Sequence, residues 1–190
     1  MIEIVKPVTK TSTSKQKGNN FEWKVARELG VWMFNDRDML GRHITSGAIK
    51  RVWVGDVIPQ KQLPHTFNNG QFPFFIEVKN GYKNNIPNLN NQTIIRQWLS
   101  KARTETNDIQ NVIYLIASFH AYSPLLITDT PFNIHANLVL NLFDNGGIIP
   151  FFIYEYRKIL EHSFYSLYEN NQYLLEKLSK KEPSSNNLVL

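Results

Sequence analysis

The chain has 190 residues and a mass of 22.2 kDa, with 42% hydrophobic and 13% aromatic residues. This size and composition predict one globular domain with its own core and exclude a disordered protein. The formal net charge of +5 and the pI of about 9.3 favour a polyanionic partner without establishing one. Because the chain lacks cysteine, thiol catalysis, disulfides and thiolate zinc sites are excluded.

The N-terminal part predicts a basic arm, a helix and a loop. Residues 1–16 end in a polar, basic stretch that we expect to form a flexible arm. Asn19 or Asn20 can cap a helix that runs to Leu29 and stops at Gly30. Residues 31–39 fit either a strand or a second short helix. Residues 41–51 are basic and rich in hydroxyls, which suits phosphate contacts as well as it suits an ordinary polar loop.

Two strand-like runs follow, at residues 51–59 and 74–80, joined by a polar loop that we expect to lie outside the core. Side chains alternate along a strand, so Glu77 and Lys79 share one face. If the two runs pair antiparallel, Asp56 lies beside Glu77. Two carboxylates and an amine at the rim of a sheet can hold Mg²⁺ and activate a water molecule. The alternative is a plain ion pair between Glu77 and Lys79 on an exposed strand.

The remaining elements predict a mixed sheet. Residues 93–104 have helical periodicity, and the apolar run 111–119 predicts a buried strand that joins the sheet through this helix. Residues 125–127 extend the sheet. Residues 132–143 and 148–154 predict a hairpin around the turn 144–147, although the first run also fits a helix. Residues 155–180 predict a C-terminal helix, and residues 181–190 a loose tail.

The order of these features resembles the PD-(D/E)XK nuclease superfamily, and within it the Holliday-junction resolvases and their phage relatives. Asp56 on one strand and Glu77-Val78-Lys79 on the next match the signature, with Gly55 in place of its proline. The stretch from Lys17 to Glu22 looks like the opening helix, and Gln97-Trp98 with Ala102 looks like the helix after the signature strand. The resemblance covers roughly residues 15–119 and implies an α/β, restriction-endonuclease-like fold: a mixed central sheet flanked by helices, with a C-terminal helix. We expect the nuclease domain to span residues 17–180.

The resemblance also implies the residues that act. The catalytic set would be Glu22, Asp56, Glu77, Lys79 and Gln97. Mg²⁺, replaceable by Mn²⁺, would be held by Asp56, Glu77, the Val78 carbonyl and Glu22. Glu22 alternatively serves as an acid that complements the dipole of its helix. Residues expected to contact nucleic acid, from charge and position, are Lys15, Lys17, Arg42, Thr45, Ser46, Lys50, Arg51, Tyr82, Lys83, Arg96 and Lys101.

The implied activity is hydrolysis of DNA phosphodiester bonds by a structure-selective endonuclease acting as a homodimer on branched DNA. A restriction- or repair-type nuclease is the first alternative. A DNA-binding module without catalysis is the second, and an interaction protein built on its C-terminal helix is the third. The N-terminus has no apolar signal core, and no run reaches the length of a membrane span. We therefore expect a cytoplasmic protein, in a bacterium or a phage-infected host cell.

Overall fold

The computed structural model describes residues 13–43, 53–82, 92–107, 109–119, 122–144 and 147–168. In these residues a seven-stranded mixed sheet has the order β1-β2-β3-β4-β5-β7-β6. Its strands are β1 (Leu40–Arg42), β2 (Val57–Pro59), β3 (Phe74–Tyr82), β4 (Val112–Phe119), β5 (Leu125–Thr128), β6 (Leu138–Asp144) and β7 (Gly147–Glu155). The helices are α1 (Ser14–Phe34), α2 (Gln92–Glu105), α3 (Tyr156–Glu161) and α4 (Phe164–Tyr168). The architecture confirms the predicted α/β fold with a restriction-endonuclease-like sheet, flanking helices and a helical C-terminal part.

Strand β3 lies inside the sheet because apolar side chains cover both of its faces. It pairs antiparallel with β2, where Val57 lies opposite Ile76, and parallel with β4, where Phe74 lies opposite Val112. A parallel pair requires a crossover connection, and α2 lies in the segment that provides it. The structure confirms the antiparallel pairing of the runs at residues 51–59 and 74–80. It also confirms that the strand at residues 111–119 joins the sheet through the preceding helix.

The sheet separates two apolar layers. One face packs against α1, with Phe74, Ile76 and Val78 in the same buried cluster as Val25 and Leu29 of the helix. The opposite face packs against α2, which buries Ile95, Leu99 and Ala102 against it. Phe75 belongs to the α2 side. Because side chains alternate along a strand, Glu77 and Lys79 also lie on that side.

Helix α1 is longer at both ends than the sequence predicts. Its N-cap is Thr13, whose hydroxyl oxygen accepts a hydrogen bond from the Gln16 N–H, so residues 14–16 of the predicted arm are helical. The helix passes through Gly30 and ends at Asn35, which adopts the left-handed conformation at φ 53°. Gly30 serves packing and does not stop the helix, since a Cβ there would lie 2.6 Å from the Asp36 carbonyl oxygen.

The segment around β2 also differs from expectation. The strand covers Val57–Pro59, and residues 53–56 of the predicted run precede it because the chain turns at Gly55 before entering the sheet. The following loop contains a short 3-10 helix, Asn68–Gly70. It contributes two buried side chains, Leu63 and Phe67, to the α1 side of the core, so the expectation that this loop lies outside the core was wrong.

The C-terminal hairpin is confirmed, and the C-terminal helix is corrected. Strands β6 and β7 pair antiparallel up to Asp144 opposite Gly147. The first strand begins at Leu138, so residues 132–137 are not part of it. The predicted single helix is two short ones, α3 and α4, separated at His162, whose carbonyl accepts a hydrogen bond from Trp32 Nε1 at 2.7 Å. Residues 169–180 of that prediction lie outside the described part of the chain.

The helices described in this structure include none with both the length and the hydropathy that crossing a bilayer requires.

Candidate active site

Asp56 is fixed by three hydrogen bonds, two of them to the central strand β3 and one to His43 after β1. Its N–H donates to the Ile76 carbonyl at 2.8 Å, and its carbonyl accepts from the His43 N–H at 2.8 Å. Its carboxylate oxygen Oδ2 accepts from the Val78 N–H, also at 2.8 Å. Because Val78 follows Glu77 directly, these bonds bring the Asp56 carboxyl group to the part of β3 that carries Glu77 and Lys79.

Gly55 makes this close approach possible. Its φ of +99° lies in the region that favours glycine, and a Cβ would lie 2.8 Å from the Ile76 carbonyl oxygen. Proline fixes φ near −65° and could not adopt this conformation. The departure from the family signature at this position is therefore required by the local backbone of this chain.

Glu77 and Lys79 pair on the same face of β3. Lys79 Nζ donates to Glu77 Oε1, and both side chains are largely buried. Glu77 is only 7% exposed, which would be costly for an unpaired carboxylate. The pair is thus more deeply buried than the exposed-strand alternative supposes.

A third acid, Glu22, acts on this region from helix α1. It lies on α1 and accepts a hydrogen bond at Oε2 from Arg42 Nε at the end of β1, and both side chains are partly buried. Its negative charge acts on Asp56. The structure therefore brings Glu22, Asp56, Glu77 and Lys79 together, and Arg42 enters as the ion-pair partner of Glu22.

The surroundings of Asp56 raise the pKa of its carboxyl group. Burial raises its pKa to about 7, and the negative charges of Glu77 and Glu22 add to the rise. The Val78 N–H bond and the charge of Lys79 oppose it but do not cancel it. The cluster thus favours binding of a cation or a proton at Asp56.

This donor set fits a divalent ion that keeps several water ligands better than a metal held by protein side chains alone. Among the described residues, no group of three or more His, Cys, Asp or Glu side chains could hold a metal ion. Mg²⁺ usually needs only one or two carboxylates and keeps several waters. The Val78 N–H and Lys79 each occupy one oxygen of Asp56 and Glu77, and each carboxylate has a second oxygen.

Two residues that the sequence did not single out as site residues position Asp56. Gln110 is fully buried, and its side-chain amide bonds the Val54 N–H at 2.6 Å, the Val54 carbonyl at 2.8 Å and the Phe74 carbonyl at 2.9 Å. It thereby ties the segment before Asp56 to the start of β3. His43 Nδ1 lies 3.0 Å from the Gly55 carbonyl oxygen. No local pattern marks either residue, because their partners are distant in the sequence.

The helix and loop residues predicted to contact substrate are dispersed. Gln97 is exposed on α2. Lys101 is exposed and pairs with Glu105 at 3.3 Å, while Arg96 donates to the Asn141 carbonyl of β6.

Lys15 and Lys17 are exposed in the first turn of α1, and the Lys17 carbonyl accepts a hydrogen bond from Asn80 Nδ2 at 3.1 Å. The predicted contacts Thr45, Ser46, Lys50, Arg51 and Lys83 lie outside the described residues, as does the side chain of Tyr82.

Comparison with known proteins identifies a matching family. Residues 13–180 match the family model described as "Phage putative PDDEXK endonuclease". No curated protein and no solved structure matches the chain. The family name implies nuclease activity on DNA, and PD-(D/E)XK nucleases generally depend on a divalent metal ion. Since the match covers most of the chain, this protein belongs to the phage PDDEXK endonuclease family.

Proposed function

We propose that the protein is a Mg²⁺-dependent DNA endonuclease that selects branched DNA, in the manner of a Holliday-junction resolvase. The observation that carries the proposal is the bond between Asp56 Oδ2 and the Val78 N–H, next to the buried Glu77–Lys79 pair. It holds the Asp56 carboxyl group against the part of β3 that carries Glu77, although the two acids are distant in the sequence. Families of the same fold differ in substrate, so the choice of branched DNA needs its own test.

Asp56 and Glu77 would hold the metal ion, with the Val78 carbonyl as a further ligand, and Glu22 would contact a metal-bound water or a second ion. When bound, Mg²⁺ would lower the pKa of a water molecule and offset negative charge at the phosphate. Mn²⁺ would be able to take its place.

Lys79 stays protonated, because neighbouring carboxylates favour the charged form of an amine. Its role is therefore to orient the attacking water and to offset charge on the phosphate, and not to remove a proton as a base. Gln97 would orient a substrate phosphate or Lys79 once DNA covers α2.

A preference for branched DNA is supported by the order of the acidic residues and the elements that carry them along the chain, which resembles that of Holliday-junction resolvases. The positive net charge of +5 suits contact with phosphates irrespective of sequence. A homodimer would place two sites on one junction, so that two strands are cut.

The test compares cleavage of a four-way junction with cleavage of a linear duplex of the same sequence. We expect Mg²⁺-dependent cutting of the junction by the wild type, and loss of cutting in Asp56→Asn. Asp36→Asn is the matched control, since Asp36 is an exposed partner of Lys61 away from the site. Preferential cutting of the linear duplex would instead favour a restriction- or repair-type nuclease. Equal cutting by Asp56→Asn and wild type would contradict the site, and binding that persists without any cutting would favour a DNA-binding module.

A further inference from the structure

A second feature lies along the solvent side of α1. A groove of about 860 Å³ is bordered by residues of α1, by Arg37 after the helix and by Leu160 of α3. Its α1 residues include Asn20, Trp23, Lys24, Arg27 and Val31, which follow one another at helical spacing. The proposed catalytic residues do not line it.

The lining combines an aromatic platform with positive charge. Trp23 is 37% exposed, and the Arg27 guanidinium carbon lies 5.6 Å from the centre of its ring. Lys24, Arg27 and Arg37 supply three cations, against the single acid Glu28, whose carboxylate lies 3.7 Å from Lys24 Nζ. An aromatic ring beside arginine and lysine is the combination that binds single-stranded nucleic acid, by base stacking and phosphate contact.

The groove begins close to the carboxylate site. Trp23 follows Glu22 directly in α1, and the Asn80–Lys17 hydrogen bond joins the start of this helix to the residue after Lys79. A smaller pocket of about 480 Å³ at the ends of β3 and β4 is bordered by Asn80, Ser118, Tyr122 and Arg157. Arg157 of this pocket and Leu160 of the groove lie three residues apart on α3. A strand leaving the site could therefore pass over polar groups into the cationic groove.

We propose that this groove binds an unpaired DNA strand adjacent to the cleaved bond. An unpaired strand fits better than a duplex, because the faces of paired bases are covered by their neighbours and cannot stack on Trp23. The positive lining favours a polyanion over an apolar helix. The inference deepens the proposed nuclease function by defining its substrate as DNA with a single-stranded segment. Strand binding itself does not require cleavage.

The test measures binding of a fluorescein-labelled oligothymidylate to the full chain in EDTA, by fluorescence anisotropy. Trp23→Ala should raise the Kd about tenfold, because stacking of a base on an aromatic ring contributes strongly to single-strand affinity. Trp23→Phe should keep most of the affinity. Arg27→Gln should lower the slope of log K against log salt by about 0.7, as expected for one phosphate contact on a single strand.

Two matched controls lie outside the groove. Tyr165→Ala removes another aromatic ring, which is 65% exposed, and Lys158→Gln removes another exposed cation, which pairs with Glu155. Tyr165→Ala should leave the Kd and the salt slope unchanged. Lys158→Gln should change them only as much as the loss of one positive charge outside the groove requires. Binding should also quench tryptophan fluorescence in the wild type, and that quenching should be largely lost in Trp23→Phe.

The outcomes separate this inference from the proposed function. If Trp23→Ala and Arg27→Gln bind the oligonucleotide as the wild type does, the groove proposal is overturned, whether or not Asp56→Asn abolishes cleavage. If the variants lose single-strand binding but the wild type cuts no DNA, the groove proposal holds and the nuclease proposal fails.

Discussion

Two sites in this protein combine aspartate with lysine in opposite surroundings. At the first, Asp36 accepts a hydrogen bond from Lys61 Nζ at 2.7 Å on the surface, and that bond lowers the pKa of Asp36. At the second, Asp56 lies beside Glu77 and Lys79, and burial raises its pKa to about 7. The side chains are of the same kind, but one carboxylate is stabilised in its charged form and the other is destabilised.

The difference distinguishes a surface ion pair from a cluster of buried charges. The Asp36–Lys61 pair balances one negative charge with one positive charge in water. The buried cluster contains three carboxylates, Glu22, Asp56 and Glu77, and two cations, Arg42 and Lys79. A protein keeps such an excess of buried charge at the expense of its own stability, which is typical of a functional site. A divalent cation would offset it.

The largest expected effect is on catalysis. Lys79→Met should lower kcat/KM for Mg²⁺-dependent cleavage about a thousandfold, because it removes the charge that faces the reacting phosphate. Lys61→Met, the matched surface change, should leave kcat/KM unchanged. Steady-state cleavage of a labelled junction by both variants measures the contrast. Equal losses in the two variants would show that the buried lysine has no special role.

The second largest expected effect is on how the free energy of unfolding of the metal-free protein depends on pH. The folded-state pKa of Asp56 is raised from 3.8 to about 7, so the folded state binds the proton more tightly than the unfolded state does. The free energy of unfolding should therefore fall as pH rises from about 4 to about 7, by at most about 4 kcal/mol from this group. Urea unfolding in EDTA across this range measures the fall.

Asp56→Asn should remove most of that fall and be the more stable protein at pH 8. Asp36 should change stability with pH in the opposite direction, because its pKa is lowered. Its contribution to the free energy of unfolding is present at neutral pH and is lost only as pH drops below about 4. An Asp56→Asn protein whose stability falls with pH as steeply as that of the wild type would contradict the buried-carboxylate assignment.

Gln110 tests what holds the site in place. Gln110→Leu should lower the free energy of unfolding by about 3 kcal/mol, because it leaves the partly buried N–H of Val54 and two carbonyls without this partner. The exposed Gln62→Leu is the control and should be close to neutral. If Gln110→Leu unfolds at the same urea concentration as wild type, the tie between residue 54 and β3 does not position Asp56.

The smallest effect is the stabilisation by metal. Saturating Mn²⁺ at about 100 times its Kd should add about 2.7 kcal/mol to the free energy of unfolding of the wild type. It should add little to Asp56→Asn, and as much to Asp36→Asn as to the wild type. Thermal melts with and without Mn²⁺ measure the difference. An equal rise in Asp56→Asn would mean that the ion binds elsewhere.

The sequence predicted the centre of this structure well and its edges poorly, for physical reasons. Strand β3 was predicted correctly because a long apolar run in which charged residues recur at every second position is typical of few structures other than a strand. The end of α1 was misread because Gly30 is required by the approach of Asp36, a tertiary contact that no local pattern reveals. Gln110 could not be found at all, since its partners Val54 and Phe74 are 56 and 36 residues away.

The most direct test of the central claim is the anomalous difference map of a crystal soaked in Mn²⁺. The account predicts one strong peak within coordination distance of both the Asp56 and the Glu77 carboxylates, with Lys79 beside it, and no peak at Asp36. A map with its strongest peak away from these two carboxylates, or with none at them under saturating Mn²⁺, would contradict it.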